Sequence, residues 1–279
     1  MAQGDLTRIR SNIAGLNILR SLRDVNNQIQ LHQLRLATGK RINNAGDDPA
    51  GLSIATRLES RNRALQQVYN NIGDAKNLLS TAEGGLDKIN DILVDVQAKL
   101  EQSANDTLGT TERQAIAKLL IQLRDEINSI ADDTTFNGVK LLGSSTTFTF
   151  QTGELSQTPW KSARYYVTDL GLANLAALTT TSVIGPSNYL SYLSEVTAAM
   201  SVVSDGLTNL GALYNRFTIK EEVISVQQAN TEAAVSRIMD ADMALEQLDL
   251  TKAQVGQQVA LAMLSQANLN TQAILALFR

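Results

Sequence analysis

A chain of 279 residues that is 43% hydrophobic but only 4% aromatic, with 3 prolines, has the composition of long packed helices rather than of an ordinary enzyme domain. It has no cysteine and 1 histidine, His32, which argues against a disulfide framework, a thiolate or histidine-rich metal centre and a histidine-based catalytic triad. The net charge of −4 is uneven: residues 1–45 carry seven Arg or Lys against two Asp, residues 46–235 fourteen basic against twenty-two acidic groups, and residues 236–279 three against four.

The first forty residues place Ile9, Ile13, Leu16, Leu19, Leu22, Val25, Ile29 and Leu36 at spacings that are almost all three or four. That is one face of a helix close to a coiled-coil seam. Thr7 or Ser11 is placed to cap its start, and Gly39 to stop it. The basic residues of this stretch are interleaved with apolar ones and no aromatics lie among them. With an acidic body beside it, the stretch lacks the domain-wide footprint of a nucleic-acid-binding protein. The opening Met-Ala-Gln-Gly-Asp-Leu-Thr-Arg lacks the charged start and apolar run of a secretory signal, and no run is long and apolar enough for a membrane span, so membrane insertion is not expected.

Residues 48–103 read as one long helix, marked by Leu52, Leu65, Ile72, Leu79, Leu86, Ile89, Leu93 and Val96, with Gly84-Gly85 as a weak point inside it. Residues 111–131 form a second, containing Ile116, Leu120 and Ile127, after which Asn137-Gly138 turns the chain. Residues 139–186 are dense in Ser and Thr, and Thr147-Phe148-Thr149-Phe150-Gln151 alternates like a strand. Seven of the twelve aromatics fall between positions 148 and 192. A few strands packed on helices are expected there, because so short a segment is too small for a core of its own. Residues 187–235 resume a long helix, and in the last forty-odd residues Leu245, Leu248, Val255, Val259, Ala262 and Leu269 mark one stripe, which Leu264, Leu275 and others broaden. Neither terminal arm can bury such a stripe alone, so each is expected to use the other as its partner. The fold class is therefore mainly α: a long helical hairpin or coiled-coil bundle with a small β region in the middle of the chain.

Two segments resemble bacterial flagellins. The first runs from Leu36-Ala37-Thr38-Gly39-Lys40-Arg41-Ile42-Asn43-Asn44-Ala45-Gly46-Asp47-Asp48-Pro49-Ala50-Gly51 on to Thr81-Ala82-Glu83-Gly84-Gly85-Leu86, and the second is Ser236-Arg237-Ile238-Met239-Asp240-Ala241-Asp242 on to Gln266-Ala267-Asn268 and Leu277-Phe278-Arg279. Phe136-Asn137-Gly138-Val139-Lys140-Leu141-Leu142 is similar to a third family element. The resemblance implies an inner-core coiled-coil domain from residues 1–45 and 236–279. It implies a rod-like outer-core domain from residues 46–235, with its β-rich segment at 139–186, and no large outer domains. It also implies a homopolymer, a helical filament for motility, exported unfolded through the flagellar type III channel without a cleaved signal peptide. The implied partners are an export chaperone at the C-terminal arm, the filament cap and hook-associated proteins.

On this reading Ile9, Ile13, Leu16, Leu22, Val25, Ile29, Leu248, Val255, Val259, Leu264, Leu275 and Phe278 are the candidate self-assembly residues. Asp95 and Lys99 stand where many flagellins carry the arginine and leucine of a patch read by innate immune receptors. No catalytic, cofactor or metal site is expected. His32 reads as a packed histidine, with no carboxylate or second histidine placed to help it. Asp47-Asp48 reads as helix capping and pairing with arginines, and Asp240-Ala241-Asp242 lacks the oxygen-rich loop of a calcium site. The rivals are a hook–filament junction protein, whose pattern Asp47-Asp48-Pro49 partly fits, and a surface adhesin, which would show aromatics on the solvent face of the β region.

Overall fold

The computed structural model describes residues 12–154, 156–161 and 163–276, with side chains followed to residue 269. The elements in chain order are α1 (Ile13–Thr38), α2 (Pro49–Ser103), α3 (Thr110–Asp133), β1 (Thr135–Phe136), β2 (Val139–Lys140), β3 (Thr147–Gln151), β4 (Gln157–Lys161), α4 (Ala173–Ala176), α5 (Tyr189–Met239) and α6 (Met243–Ala276). The predominantly helical chain with a small β region is as the sequence predicts. Two compact units divide it: Met1–Asn62 with Asn230–Arg279, and Arg63–Ala229. These boundaries fall further into the chain from both ends than 45/46 and 235/236, because the N-terminal part of α2 and the C-terminal part of α5 join the arms.

The central unit, Arg63–Ala229, has its own core. The residues Leu65, Ile72, Leu79, Leu86, Ile89, Leu93, Val96 and Leu100 of α2 are all buried, at spacings of seven, three and four that put them on one face. Ile116, Leu120 and Ile127 of α3 and Val196, Val203, Leu210 and Phe217 of α5 complete the same cluster. Each such large side chain contributes roughly 1.5–3 kcal/mol when fully removed from water. The Gly84-Gly85 pair does not interrupt α2. Gly85 is where the chain after α3 comes closest: a Cβ there would lie 2.6 Å from Thr134 Oγ1 and 2.7 Å from Leu142 Cδ1. The glycine is thus a packing requirement rather than a weak point.

Asn137 (φ 50°) and Gly138 (φ 78°) form the two-residue turn between β1 and β2, the left-handed pair of conformations that an Asn-Gly hairpin uses. The antiparallel β3–β4 ladder pairs Phe148 with Trp160, Thr149 with Pro159 and Phe150 with Thr158. The bond from Thr152 N–H to Ser156 C=O, 2.9 Å, closes the turn. Alternation from that pair makes Thr149 and Pro159 a non-hydrogen-bonded pair, so the position where proline lacks an N–H faces outward from the ladder. The aromatics of the hairpin point into the unit: Phe148 stacks on Trp160 at 5.4 Å and Phe150 meets Phe217 edge-on at 5.5 Å. Trp160 and Tyr165 are buried. The adhesin reading needed aromatics on the solvent face, and these rings do not provide them.

Candidate assembly site in the terminal arms

The chain enters the first arm at Asn12, whose Oδ1 accepts from Gly15 N–H at 2.8 Å and caps α1. The capping role assigned to Thr7 or Ser11 therefore belongs to Asn12. Thr7 and Ser11 themselves lie outside the described residues, as do Ile9 and Phe278. Helix α1 ends at Gly39, in the left-handed conformation at φ 68°, with its N–H on Arg35 C=O at 2.8 Å.

The loop that follows is tied to the start of the other arm. Lys40 and Asp240 form an antiparallel bridge, Arg41 N–H donates to Met239 C=O at 2.6 Å, and Ala241 N–H donates to Gly39 C=O at 2.9 Å. Beside this bridge Ile42, Ala55 and Met239 form a small buried cluster. The aspartates act on backbone amides. Asp47 Oδ2 accepts from Asn43 and Asn44 N–H, each at 2.9 Å. Those two amides, Asn44 first, hold its carboxyl below the usual carboxylate value, and Arg35 adds only a lesser, longer-range charge effect. Asp48 Oδ1 caps α2 at Gly51 N–H, 2.9 Å, with Pro49 as the first helical residue. Asp242 Oδ1 caps α6 at Ala244 and Leu245 N–H, 2.9 and 3.1 Å. Capping at Asp48 is as the sequence suggested; the arginine pairing is replaced by these amides.

The two arms run antiparallel. Val25 lies against Gly256, Asn26 Oδ1 accepts from Gln257 Nε2 at 2.7 Å, and further along α1 His32 and Arg35 meet Glu246. The seam side of α1 carries Gly15, Ile18, Leu22, Val25, Ile29, His32 and Leu36, all buried or half-buried. The seam side of α6 carries Glu246, Leu250, Ala253, Gln257, Ala260 and Leu264. Of the candidate assembly residues, Leu22, Val25, Ile29 and Leu264 line this seam.

The others with described side chains do not. Leu16 is 55% exposed, Leu248 54% and Val255 53%, and Ile13 and Val259 are also exposed. The stripe that periodicity marked on α6, Leu245 through Leu269, is thus the outward face rather than the one that meets α1. Its partner face combines Leu250 and Leu264 with the small and polar residues Ala253, Gly256, Gln257 and Ala260. An open groove on that outward face is lined by Leu248, Val255, Ala244, Thr251, Gln247 and the Lys252 side chain. Leu275 lies in α6, beyond the described side chains.

His32 also departs from expectation. Its Nδ1 lies 2.5 Å from Glu246 Oε2, and Arg35 Nη1 donates to the other oxygen at 3.1 Å. Glu246 is only 8% exposed. The carboxylate that the sequence did not place near His32 comes from the far end of the chain. Removing one partner of a buried carboxylate costs about 3–5 kcal/mol where it leaves the charge uncompensated.

In the central unit, Asp95 is exposed and Lys99 half-buried on α2, with Lys99 Nζ donating to Gln102 Oε1 at 3.3 Å. Among the described residues no group of three or more His, Cys, Asp or Glu is arranged to hold a metal ion, and no helix is long and apolar enough to cross a membrane.

The paired terminal helices thus meet along one face each and present a second row of exposed apolar residues, among them Leu16, Leu248 and Val255, on the other. The sequence profile of the bacterial flagellin N-terminal helical region matches residues 9–147, and that of the C-terminal helical region matches residues 193–278. The chain is 34% identical to a flagellin of Halalkalibacterium halodurans over 275 residues, covering 97% of this chain and 99% of the relative. It is 31% identical to the flagellar filament 30.7 kDa core protein of Treponema maltophilum, covering 96% and 99%. Its fold is similar to that of a putative flagellar hook-associated protein from Vibrio parahaemolyticus, with a TM-score of 0.62 at 18% identity over 70% of this chain and all of the other. At that identity the likeness concerns the fold alone.

The chain belongs to the bacterial flagellin family. It is a structural subunit that polymerises into the flagellar filament, outside the cell, and the family is one of structural proteins rather than enzymes.

Proposed function

We propose that the chain polymerises through the outward rows of α1 and α6, and that the arms complete their burial on neighbouring copies. The observation that carries this is the exposure of Leu16, Leu248 and Val255 on helices whose opposite faces already meet each other. Apolar rows of this length, left in water, are a poor basis for stable order. On this reading residues 1–45 and 236–279 form the filament's inner core, and residues 46–235, with the β segment at 139–186, its rod-like outer core. The subunit reaches its place through the flagellar type III channel, with an export chaperone covering the apolar face of the C-terminal arm. The filament cap and hook-associated proteins meet the same terminal architecture.

Seeded polymerisation followed by electron microscopy tests this. The full chain should extend seeds into long filaments. The chain lacking 1–45 and 236–279 should stay soluble, and Leu248→Asp with Val255→Asp should lower the extension rate by tenfold or more, roughly what an unpaired charge on an apolar contact costs. Filament growth by the doubly substituted chain at the parental rate would sink the assignment of this face. Chaperone capture measured on the same chains checks the export reading, which requires binding to be lost with residues 236–279.

The Asp95 and Lys99 positions support a second, narrower proposal. An exposed acidic group and a lysine replace the arginine and leucine of the receptor-reading patch, which reverses a charge and removes an apolar contact. The chain should therefore be a weak agonist of that receptor. A reporter-cell response equal to that of an enteric flagellin would refute it.

A further inference from the structure

The α1–α6 seam repeats itself every seven residues. On α6 one row is Glu246, Ala253, Ala260 and Ala267 and the other is Leu250, Gln257 and Leu264; on α1 the rows are Gly15, Leu22, Ile29, Leu36 and Ile18, Val25, His32. Sliding α6 by one heptad puts alanine where alanine stood in one row and exchanges leucine with glutamine in the other. The alanine row by itself holds the helices together without fixing how far each is advanced along the other. Only two seam positions of α6 break the repeat. Glu246 is buried and gripped on both oxygens, by His32 Nδ1 and Arg35 Nη1. Gln257 is bonded to Asn26. A heptad slip would leave Glu246 buried or stranded without its two donors and place Ala253 opposite His32.

We propose that the Glu246 carboxylate, held by His32 and Arg35, is the register key of the arm pair, with Gln257–Asn26 as a lesser second tooth. A buried charge in an apolar seam is a weak source of stability but a strong source of uniqueness, because every other register strands it. Register is what determines which outward residues of α1 stand level with which outward residues of α6. The inference rests on the assembly reading, since it names what sets the composite face that neighbouring copies meet.

The absence of cysteine from the chain makes the test direct. Val25→Cys with Gly256→Cys reports the native register, because Val25 lies against Gly256. Val25→Cys with Met263→Cys reports a one-heptad slip, and in the native register that pair is offset by about 10.5 Å along the axis, beyond disulfide reach. Each pair is introduced into the full chain, which is copolymerised as a minor fraction with cysteine-free chain, and intrachain disulfide is scored in the filaments. Only the Gly256 pair should close in the parental background. Moving the key by one heptad, Glu246→Ala with Ala253→Glu, should carry α6 with it: the Met263 pair should then exceed the Gly256 pair by roughly tenfold, the population ratio that about 1.4 kcal/mol sets. His32→Leu alone should lower the native-to-slipped ratio, and an unchanged ratio removes His32 from the key. A shifted key that leaves the Gly256 pair dominant, or closes neither pair, overturns the proposal. Failure of the cysteine-free chain to form filaments would instead overturn the assembly reading.

Discussion

The central unit and the arm pair use the same residue types for opposite ends. In the central unit the rows of α2, α3 and α5 all face inward, and Ile72, Ile89, Leu93 and Leu120 are removed from water altogether. In the arms one side of each helix meets the other helix, and a second apolar row, with Leu16 on α1 and Leu248 and Val255 on α6, looks outward. The difference teaches how a chain separates folding from assembly. A body that buries its own rows can hold its form alone, whereas a pair of helices that buries one apolar row and leaves a second in water has burial still to gain from a neighbour.

Amide exchange on the verified monomer is the measurement with the largest expected effect. Residues of α2, α3 and α5 in the central unit should be protected up to global unfolding, while α1 and α6 exchange close to the unguarded rate. Equal protection of both regions would break the comparison and with it the idea that the arms order on polymerisation. Next in size is Phe217→Ala. This ring is wholly buried and meets Phe150, so the central unit should lose about 3–5 kcal/mol in denaturant melts, while seed extension by chains that remain folded is kept. A stability loss below about 1 kcal/mol would mean that the core is less closely packed than its burial indicates.

The smallest effect sharpens the comparison through pH. Lys76 Nζ donates to Glu221 Oε2 at 2.8 Å between α2 and α5. That bond, first among the causes, holds the Glu221 carboxyl below its ordinary value and the Lys76 ammonium above its own. The glutamate's contribution is therefore present above the ordinary carboxylate range and lost as pH falls through the lowered value. The lysine's contribution is full below the ordinary lysine range and lost as pH rises through the raised one. Glu221→Gln should cost up to about 1 kcal/mol at neutral pH, as expected for a partly exposed pair. In urea melts at successive pH values, the difference from the parent chain should vanish once the carboxylate is protonated. A difference that persists in acid would assign the effect to packing of the side chain instead.

Much of the fold was legible because its signals are local. Gly39, Asp48 and Asn137-Gly138 mark ends and turns through their own backbone preferences, and the buried row of α2 stands at helical spacing in the sequence itself. The miss on α6 has a physical cause. Periodicity shows that Leu248 and Val255 share a face, but not whether α1 or another molecule covers it, and the larger residues drew the assignment away from Ala253, Gly256 and Ala260. The Glu246 contacts carry no local signal at all, because His32 and Glu246 are 214 residues apart in the chain. Gly85 looked like a helix breaker because the segment that needs its missing side chain, around Thr134 and Leu142, follows much later.

The β3–β4 hairpin has a further consequence through Pro159. A polymer crowds identical hairpins together at concentrations far above those of the free chain, the condition under which an open strand margin recruits another and grows a cross-linked sheet. At Pro159 the outer margin of β4 presents a ring where a hydrogen-bond donor would stand. On that side a third strand would find a gap in the ladder, because the ring offers it no N–H, and sheet growth from this margin is disfavoured however closely the hairpins are brought together.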